Sequence, residues 1–314
     1  MTFATAFAPA TLANVGVGFD ILGMAVQGVG DVVEVQVRDE PGAVLLGIEG
    51  DGGRLPLDAD KNTAAVAANA VLQMVGATQG VAIRLRKGLP LNSGLGSSAA
   101  SAAAAAVAVN ALLGSPLPKA ALLPACLEGE SRVSGYHADN AAPSLLGGIT
   151  LIAGLEPVQI YHLPVPDNLH LALVTPAVDV PTALARAVLP KMVELRQMVA
   201  QTAAIARLVD ALYRGDLADF GAAVEQDGVI EPARAHLMPY LAEVRAAAKR
   251  AGACGLSISG GGPTLWAVCE SADVAKVAAA AMKSVYDECR IASAAQHTRV
   301  DQRGAWFELI ENES

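Results

Sequence analysis

The chain carries a glycine–serine stretch at Pro90-Leu91-Asn92-Ser93-Gly94-Leu95-Gly96-Ser97-Ser98-Ala99-Ala100. It stands between Val81–Arg86, which has strand character, and Ser97–Leu113, an alanine-dominated run of helical composition. Glycine lets a backbone approach a polyphosphate and adopt conformations closed to other residues. A helix N-terminus adds unpaired N–H groups and a partial positive charge. Ser97 or Ser98 supplies a hydroxyl for a phosphate oxygen or a metal ion. An N-capped helix behind a flexible turn has the same pattern, so the stretch alone says only that phosphate can bind. There is no GxxxxGK[ST], and Gly16-Val-Gly-Phe-Asp-Ile-Leu-Gly23 does not fit GxGxxG. A P-loop or dinucleotide fold is therefore disfavoured.

Working outward, Thr2–Ala8, Asp31–Arg38, Val81–Arg86 and Gly148–Ala153 read as strands. Asn62–Val75, Ser97–Leu113 and Lys119–Glu130 read as helices, with Asp58 or Asp60 as a cap for the first. Leu155–Asn168 is proline-rich and irregular, and the domain boundary is expected there, giving 1–155 and 156–314. Beyond it, strands are expected at Leu169–Val174, Leu256–Ser259, Thr264–Cys269 and Ala292–Val300. Helices are expected at Pro181–Tyr213, Asp216–Gln226, Tyr240–Arg250 and Ala272–Tyr286. A β-α-β-β-α-β order suggests a ferredoxin-like second domain, and hence an α+β chain.

Composition bounds the partners. Just over half of the 314 residues are apolar, with alanine prominent among them, glycine plentiful beside them and aromatics few, so the core is built from close helix–sheet contacts rather than large rings. A net charge of −9 without a basic cluster speaks against nucleic acid and anionic membranes. Cys126, Cys254, Cys269 and Cys289 have no CxxC spacing, which fits buried thiols in a reducing compartment. The N-terminal residues lack a basic segment and a long apolar run, so no signal peptide is read and a cytoplasmic location is expected.

Three stretches in order resemble the GHMP kinases: Ala8–Asp20 (APATLANVGVGFD), Pro90–Ala100 and Ser257–Thr264 (SISGGGPT). The resemblance runs from Phe7 to about Ala267. Asn14–Asp20, His137-Ala-Asp-Asn-Ala-Ala-Pro143, Pro181–Arg186 and Glu231-Pro-Ala-Arg234 are similar to the homoserine-phosphorylating branch. The resemblance implies a two-domain GHMP kinase fold, with an S5-like N-terminal domain and a ferredoxin-like C-terminal domain. It also implies ATP, Mg²⁺, L-homoserine as phosphoryl acceptor for threonine biosynthesis, and a homodimer at the family level. There are departures. A short deletion lies within Ser131–Tyr136, Asn92 stands where a small residue is usual, and Gly261 replaces Ser or Ala.

Homoserine is a zwitterion with a primary hydroxyl. Asp20 can meet its ammonium, Asn14 can bond the same end, and Arg186 with Arg234 can meet its carboxylate. By the resemblance, His137 lies beside the substrate and Asn140 beside its hydroxyl. Each has an ordinary structural alternative: Asp20 as cap of a helix at Ile21–Ala25, the arginines as solvated helix residues, Asn14 as a turn residue, His137 packed under a loop. Glu130 and Ser98 are the candidate metal ligands, with Asp139 nearby. Lys87 can reach a phosphate or lie along the nucleotide, or end a strand in solvent. Asn62 can line the adenine or ribose pocket, or cap its own helix. The resemblance places Thr182, not an acid, beside the hydroxyl, so no strong general base is expected and Asp179 is not required as one. A mevalonate-type kinase and a non-catalytic sensor on the same fold are the competing readings.

Overall fold

The computed structural model describes residues 2–133 and 135–311. Two sheets organise them. The first contains β1 (Thr2–Ala13), β2 (Leu22–Arg38), β3 (Ala43–Glu49), β4 (Gly80–Arg86), β5 (Ile149–Leu155), β6 (Val158–Leu163) and β11 (Trp306–Glu311). Its order is β11-β1-β2-β4-β3, and β5 also pairs β2 and carries β6. All pairings are antiparallel except β3 with β4. The second contains β7 (His170–Pro176), β8 (Gly255–Ile258), β9 (Leu265–Cys269) and β10 (Ser293–Thr298) in the order β10-β7-β9-β8. With α10 (Ala272–Glu288) between β9 and β10, this is the expected ferredoxin-like arrangement.

Alternation along the strands sets the packing. Ala4, Ala6, Ala8 and Ala10 of β1 point into the first core, where α2 (Ser97–Leu112) crosses them. Residues Ala99 to Ala111 of α2 are buried all round, as a helix without a polar face must be. Methyl-sized side chains on both partners keep helix and sheet close. Helices α1 (Thr63–Met74), α3 (Leu123–Ser131) and α4 (Ala138–Leu146) pack around α2. On β7, Leu171 and Leu173 face the first core while Ala172 and Val174 face the second. The first core thus continues through the second sheet to Leu208 and Leu212 of α6 (Leu195–Arg214) and Phe220 and Val224 of α7 (Leu217–Val224). The second core lies between the other sheet face and α9 (Leu241–Arg250) with α10.

The structure corrects several expectations. Leu155–Asn168 is not irregular throughout: Val158–Leu163 forms β6, hairpin partner of β5. The expected edge at 155 cuts that hairpin, and β11 returns to pair with β1. We therefore place the division after Leu163, with residues 306–311 belonging to the first unit. The long helix expected over Pro181–Tyr213 is two, α5 (Thr182–Ala187) and α6, with Pro190 in the intervening stretch. Lys119–Leu122 is a 3₁₀ turn leading into α3. Asn62, not Asp58 or Asp60, caps α1, its Oδ1 accepting from the Ala64 N–H at 3.0 Å. Asp20 caps no helix, because the chain enters β2 at Leu22. Strands β3 and β11 carry no signal that the sequence reading used. Among the described residues, no helix is long and apolar enough to cross a membrane.

Three successive left-handed residues after β1, Asn14, Val15 and Gly16 (φ +70°, +44° and +75°), turn the chain onto α7. A Cβ on Gly16 would lie 2.4 Å from the Val224 carbonyl oxygen. Gly16→Ala combines a strained φ with a backbone clash and is expected to cost about 2–4 kcal/mol of stability, read from denaturant unfolding. A loss below about 0.5 kcal/mol would show that the turn yields freely.

Candidate active site

The phosphate loop is held from three sides. From β1, the Thr11 N–H donates to the Leu95 carbonyl at 3.0 Å. From the Ser257–Thr264 glycine turn, Ser259 Oγ donates to the Gly94 carbonyl at 2.5 Å and Thr264 Oγ1 to the Ser93 carbonyl at 2.6 Å. A Cβ on Gly94 would meet the carbonyl oxygens of Ser259 and Gly262 at 2.6 and 2.7 Å, so only glycine fits between the two motifs. Gly96, left-handed at φ +64°, is the N-cap of α2 and brings no side chain to it. The first turn of α2 keeps its N–H groups for a ligand.

The third support lies underneath. Asp31 Oδ1 accepts from the Gly88 N–H at 3.0 Å and the Leu89 N–H at 3.3 Å. Its Oδ2 accepts from Ser101 Oγ at 2.7 Å and is paired with Lys87. Lys87 Nζ also donates to the Ser97 carbonyl and to Ser101 Oγ, both at 2.7 Å. An ammonium has three protons, and all three are used inside the protein. The side chain therefore does not end a strand in solvent, and Lys87 also borders the cavity that opens above. Asp31, Thr11 and Ser101 were not singled out in the sequence. A signal existed for the first: Asp31 shares strand parity with core Val33 and Val35, and Lys87 shares it with Ile83 and Leu85. Two opposite charges on the inward faces of paired strands call for each other.

A cavity of ≈ 360 Å³ opens above this floor. It is lined by Leu91 to Gly94 and Gly96 to Ser98 of the loop, with Asn62, Glu130, Asn140, Thr182 and Gly260 to Gly262. Four loop residues do not line it. Pro90 and Leu95 line a separate cavity behind the loop, and Ala99 and Ala100 are wholly buried. Lys61 and Arg54 also line the ≈ 360 Å³ cavity. They supply cationic side chains that the sequence reading did not name. Glu130, 2% exposed, and Ser98 border the same space. Ser134, inside the shortened stretch before His137, lies outside the described residues.

Asp20 and its partners form a second cluster beside the cavity rather than in its lining. Arg186 Nη2 and Nη1 donate to the two Asp20 oxygens at 2.8 and 3.2 Å. His137 Nδ1 lies 3.5 Å from Asp20 Oδ2. Asn14 fixes Asp20 by accepting its backbone N–H at 3.1 Å. Arg234, 4% exposed, donates from Nη1 to the Gly260 carbonyl at 2.8 Å and from Nε to the Ala185 carbonyl at 3.0 Å. Asn14 Nδ2 donates to the same Gly260 carbonyl at 3.3 Å. Gly260 therefore joins cluster to cavity. Arg186 and Arg234 both sit over the Phe19 ring, at 5.5 and 5.4 Å, so its negative face offsets their mutual repulsion. On the cavity side, Thr11 Oγ1 donates to Asn140 Oδ1 at 2.7 Å, which leaves the Asn140 amide nitrogen as donor. Burial, then the Arg186 charge, pull the Arg234 guanidinium down. Burial also lowers His137, against the opposing pull of Asp20.

Breaking the Asp31–Lys87 pair from one side leaves a buried charge uncompensated. Asp31→Asn is expected to cost about 3–5 kcal/mol in denaturant unfolding, and pairing Asp31→Leu with Lys87→Met to recover much of it. Equal losses in both variants would contradict this. Asp139, buried, has its carboxyl pushed up to about 7, by burial first and then by Asp20, against Arg186. The folded state thus holds this proton more tightly than the unfolded state. Its contribution to stability falls as pH rises from about 4 to 7. Asp139→Asn is expected to flatten that fall by up to about 4 kcal/mol at pH 8. Unfolding measured from pH 4 to 8 tests this, and an unchanged slope would refute it.

The family descriptions GHMP kinases N terminal domain and GHMP kinases C terminal match residues 62–148 and 208–288. A homoserine kinase of Chloroherpeton thalassium is 42% identical over 293 residues, covering 90% of this chain and 92% of that protein. One from Arabidopsis thaliana is 43% identical over 306 residues, covering 95% and 83%. The crystal structure of homoserine kinase from Cytophaga hutchinsonii superposes with a TM-score of 0.94 at 43% identity, covering 98% and 97%. With both glycine motifs locked together beside an Asp–Arg–Arg cluster, these similarities mean that the chain belongs to the homoserine kinases of the GHMP kinase family.

Proposed function

We propose that the chain phosphorylates the hydroxyl of L-homoserine with ATP, giving O-phospho-L-homoserine for threonine biosynthesis. The observation that carries this reading is the Asp20–Arg186–Arg234 cluster joined through Gly260 to the phosphate cradle. A free amino acid offers one ammonium and one carboxylate. Asp20 and Arg186 now satisfy each other. A zwitterion separates them, its ammonium taking Asp20 and its carboxylate taking Arg186 with Arg234. Mevalonate has no ammonium for Asp20, and the identity to homoserine kinases favours the amino acid.

The nucleotide phosphates rest on the Gly94–Ser98 amides and the N-terminus of α2. Asn62 borders the base or ribose end. Among the described residues, no three His, Cys, Asp or Glu side chains cluster as a metal site. The donor set offered by Ser98 and Glu130 is two hard oxygens beside the cradle, which fits Mg²⁺, an ion that keeps most of its waters and phosphate oxygens. Bound there, it would neutralise phosphate charge. The chain itself aligns the reactants: Asn140 and Thr182 border the acceptor hydroxyl, His137 closes the side next to Asp20, and Arg186 fixes the far end of the substrate. Phosphoryl transfer depends mainly on such positioning. No general base is assigned: the hydroxyl oxygen bonds the γ-phosphorus as the bond to the ADP oxygen breaks, and the hydroxyl proton passes late to a phosphoryl oxygen or to solvent.

A coupled ADP-release assay tests this. ADP is expected to form with L-homoserine and not with mevalonate. Asp20→Asn is expected to raise KM for homoserine by about 10- to 100-fold while leaving KM for ATP within about twofold. Absence of homoserine-dependent ADP would reject the reading and leave a sensor.

A further inference from the structure

Asn92, which lines the ≈ 360 Å³ cavity, and Asp179 lie 87 residues apart in sequence and meet in a hydrogen bond. Asn92 is left-handed at φ +55°, a conformation that asparagine tolerates better than most side chains. This sends its amide out of the phosphate loop, and Nδ2 donates to Asp179 Oδ1 at 2.8 Å. Asp179 belongs to the segment joining β7 to α5. At one end of that segment the Ala177 N–H donates to the Ala292 carbonyl at 2.7 Å. At the other, the Ala185 carbonyl is held by Arg234. Between these anchors, Val180 and Thr182 line the ≈ 360 Å³ cavity. On the far side, Asn92 and Asp179 both border a second cavity of ≈ 790 Å³. The segment is thus a thin wall between two open spaces, and the Asn92 bond ties it to the phosphate loop. Pro181, the N-cap of α5, brings no side-chain cap of its own.

We propose that the Asn92–Asp179 hydrogen bond is a strap that sets α5 over the acceptor site and couples it to the nucleotide loop. Asp179 is then a positioning residue, not a proton acceptor. The inference rests on the kinase reading above for its kinetic consequences. A ligand that orders the phosphate loop also orders Asn92, and through Asp179 it orders Thr182 and Arg186. By linkage, nucleotide and homoserine then strengthen each other's binding by the same factor.

The test compares Asn92→Ala, Asp179→Ala and Asp179→Asn. The first two are expected to raise KM for homoserine about three- to tenfold, with kcat within about twofold. The double variant should be no worse than either single one. Asp179→Asn keeps an oxygen for Asn92 Nδ2 and should behave as wild type. Loss of kcat by about 100-fold or more in both Asp179 variants would restore a base and overturn the strap. Kinetics unchanged in all three would overturn it too. Hydrogen exchange of residues 177–187, with a non-hydrolysable ATP analogue bound, gives a readout independent of turnover. Exchange should quicken in the two alanine variants and not in Asp179→Asn. If wild type makes no ADP with homoserine, the kinase reading fails, and the exchange pattern still decides the strap.

Discussion

A carboxylate and an ammonium buried beneath the phosphate loop hold the rest of the site in place. Asp31 and Lys87 are both removed from water, and each would be very costly there alone. Together they consume one another's charge. Their remaining bonding capacity is spent on the Gly88 and Leu89 N–H groups, the Ser97 carbonyl and the Ser101 hydroxyl. Those four groups flank the loop on both sides. The pair therefore fixes where the chain leaves β4 and where it enters α2. Everything the loop does for an anion depends on that span.

Above the pair, two glycine-rich segments distant in sequence are fitted backbone to backbone. Gly94 has carbonyl oxygens where a side chain would begin, so the contact is a main-chain contact. Ser259, which donates to the Gly94 carbonyl, and Thr264, which donates to the Ser93 carbonyl, flank β8 and β9 in the second sheet. The first core continues through that sheet to α6 and α7. The seam between the sheets is consequently a packed, hydrogen-bonded joint, and the cavity lies along it. A site in such a seam draws the phosphate cradle from one sheet and the acceptor residues from turns that reach in from both.

Electrostatics divide the labour. The chain is acidic overall, so cationic groups near the site act locally. Arg186 and Arg234 share the Phe19 ring, which offsets their repulsion, and Arg234 is held in addition by the Ala185 and Gly260 carbonyls. Asp20 supplies the opposing charge that pairs with Arg186. The phosphate side offers amides, a helix N-terminus and hydroxyls, with Arg54 and Lys61 in the same lining, while the ammonium of Lys87 is committed below the loop.

Much of this was legible in one dimension. The loop between a strand and an alanine helix and the β-α-β-β-α-β order are local patterns that backbone preference and periodicity fix, while the motif around Asn14–Asp20 was legible through its resemblance to the GHMP kinases. Sequence alone thus determined the fold class and the glycine–serine stretch that lines the cavity. Other features depend on partners far along the chain. That Lys87 pairs with Asp31 beneath the loop, that Pro90, Leu95, Ala99 and Ala100 turn from the cavity, that Phe19 lies under two arginines, and that Asn92 reaches Asp179 were decided only in three dimensions. The physical reason is that strand pairing and side-chain packing choose which of several possible neighbours each polar group meets, and a single chain read in order does not contain those distances.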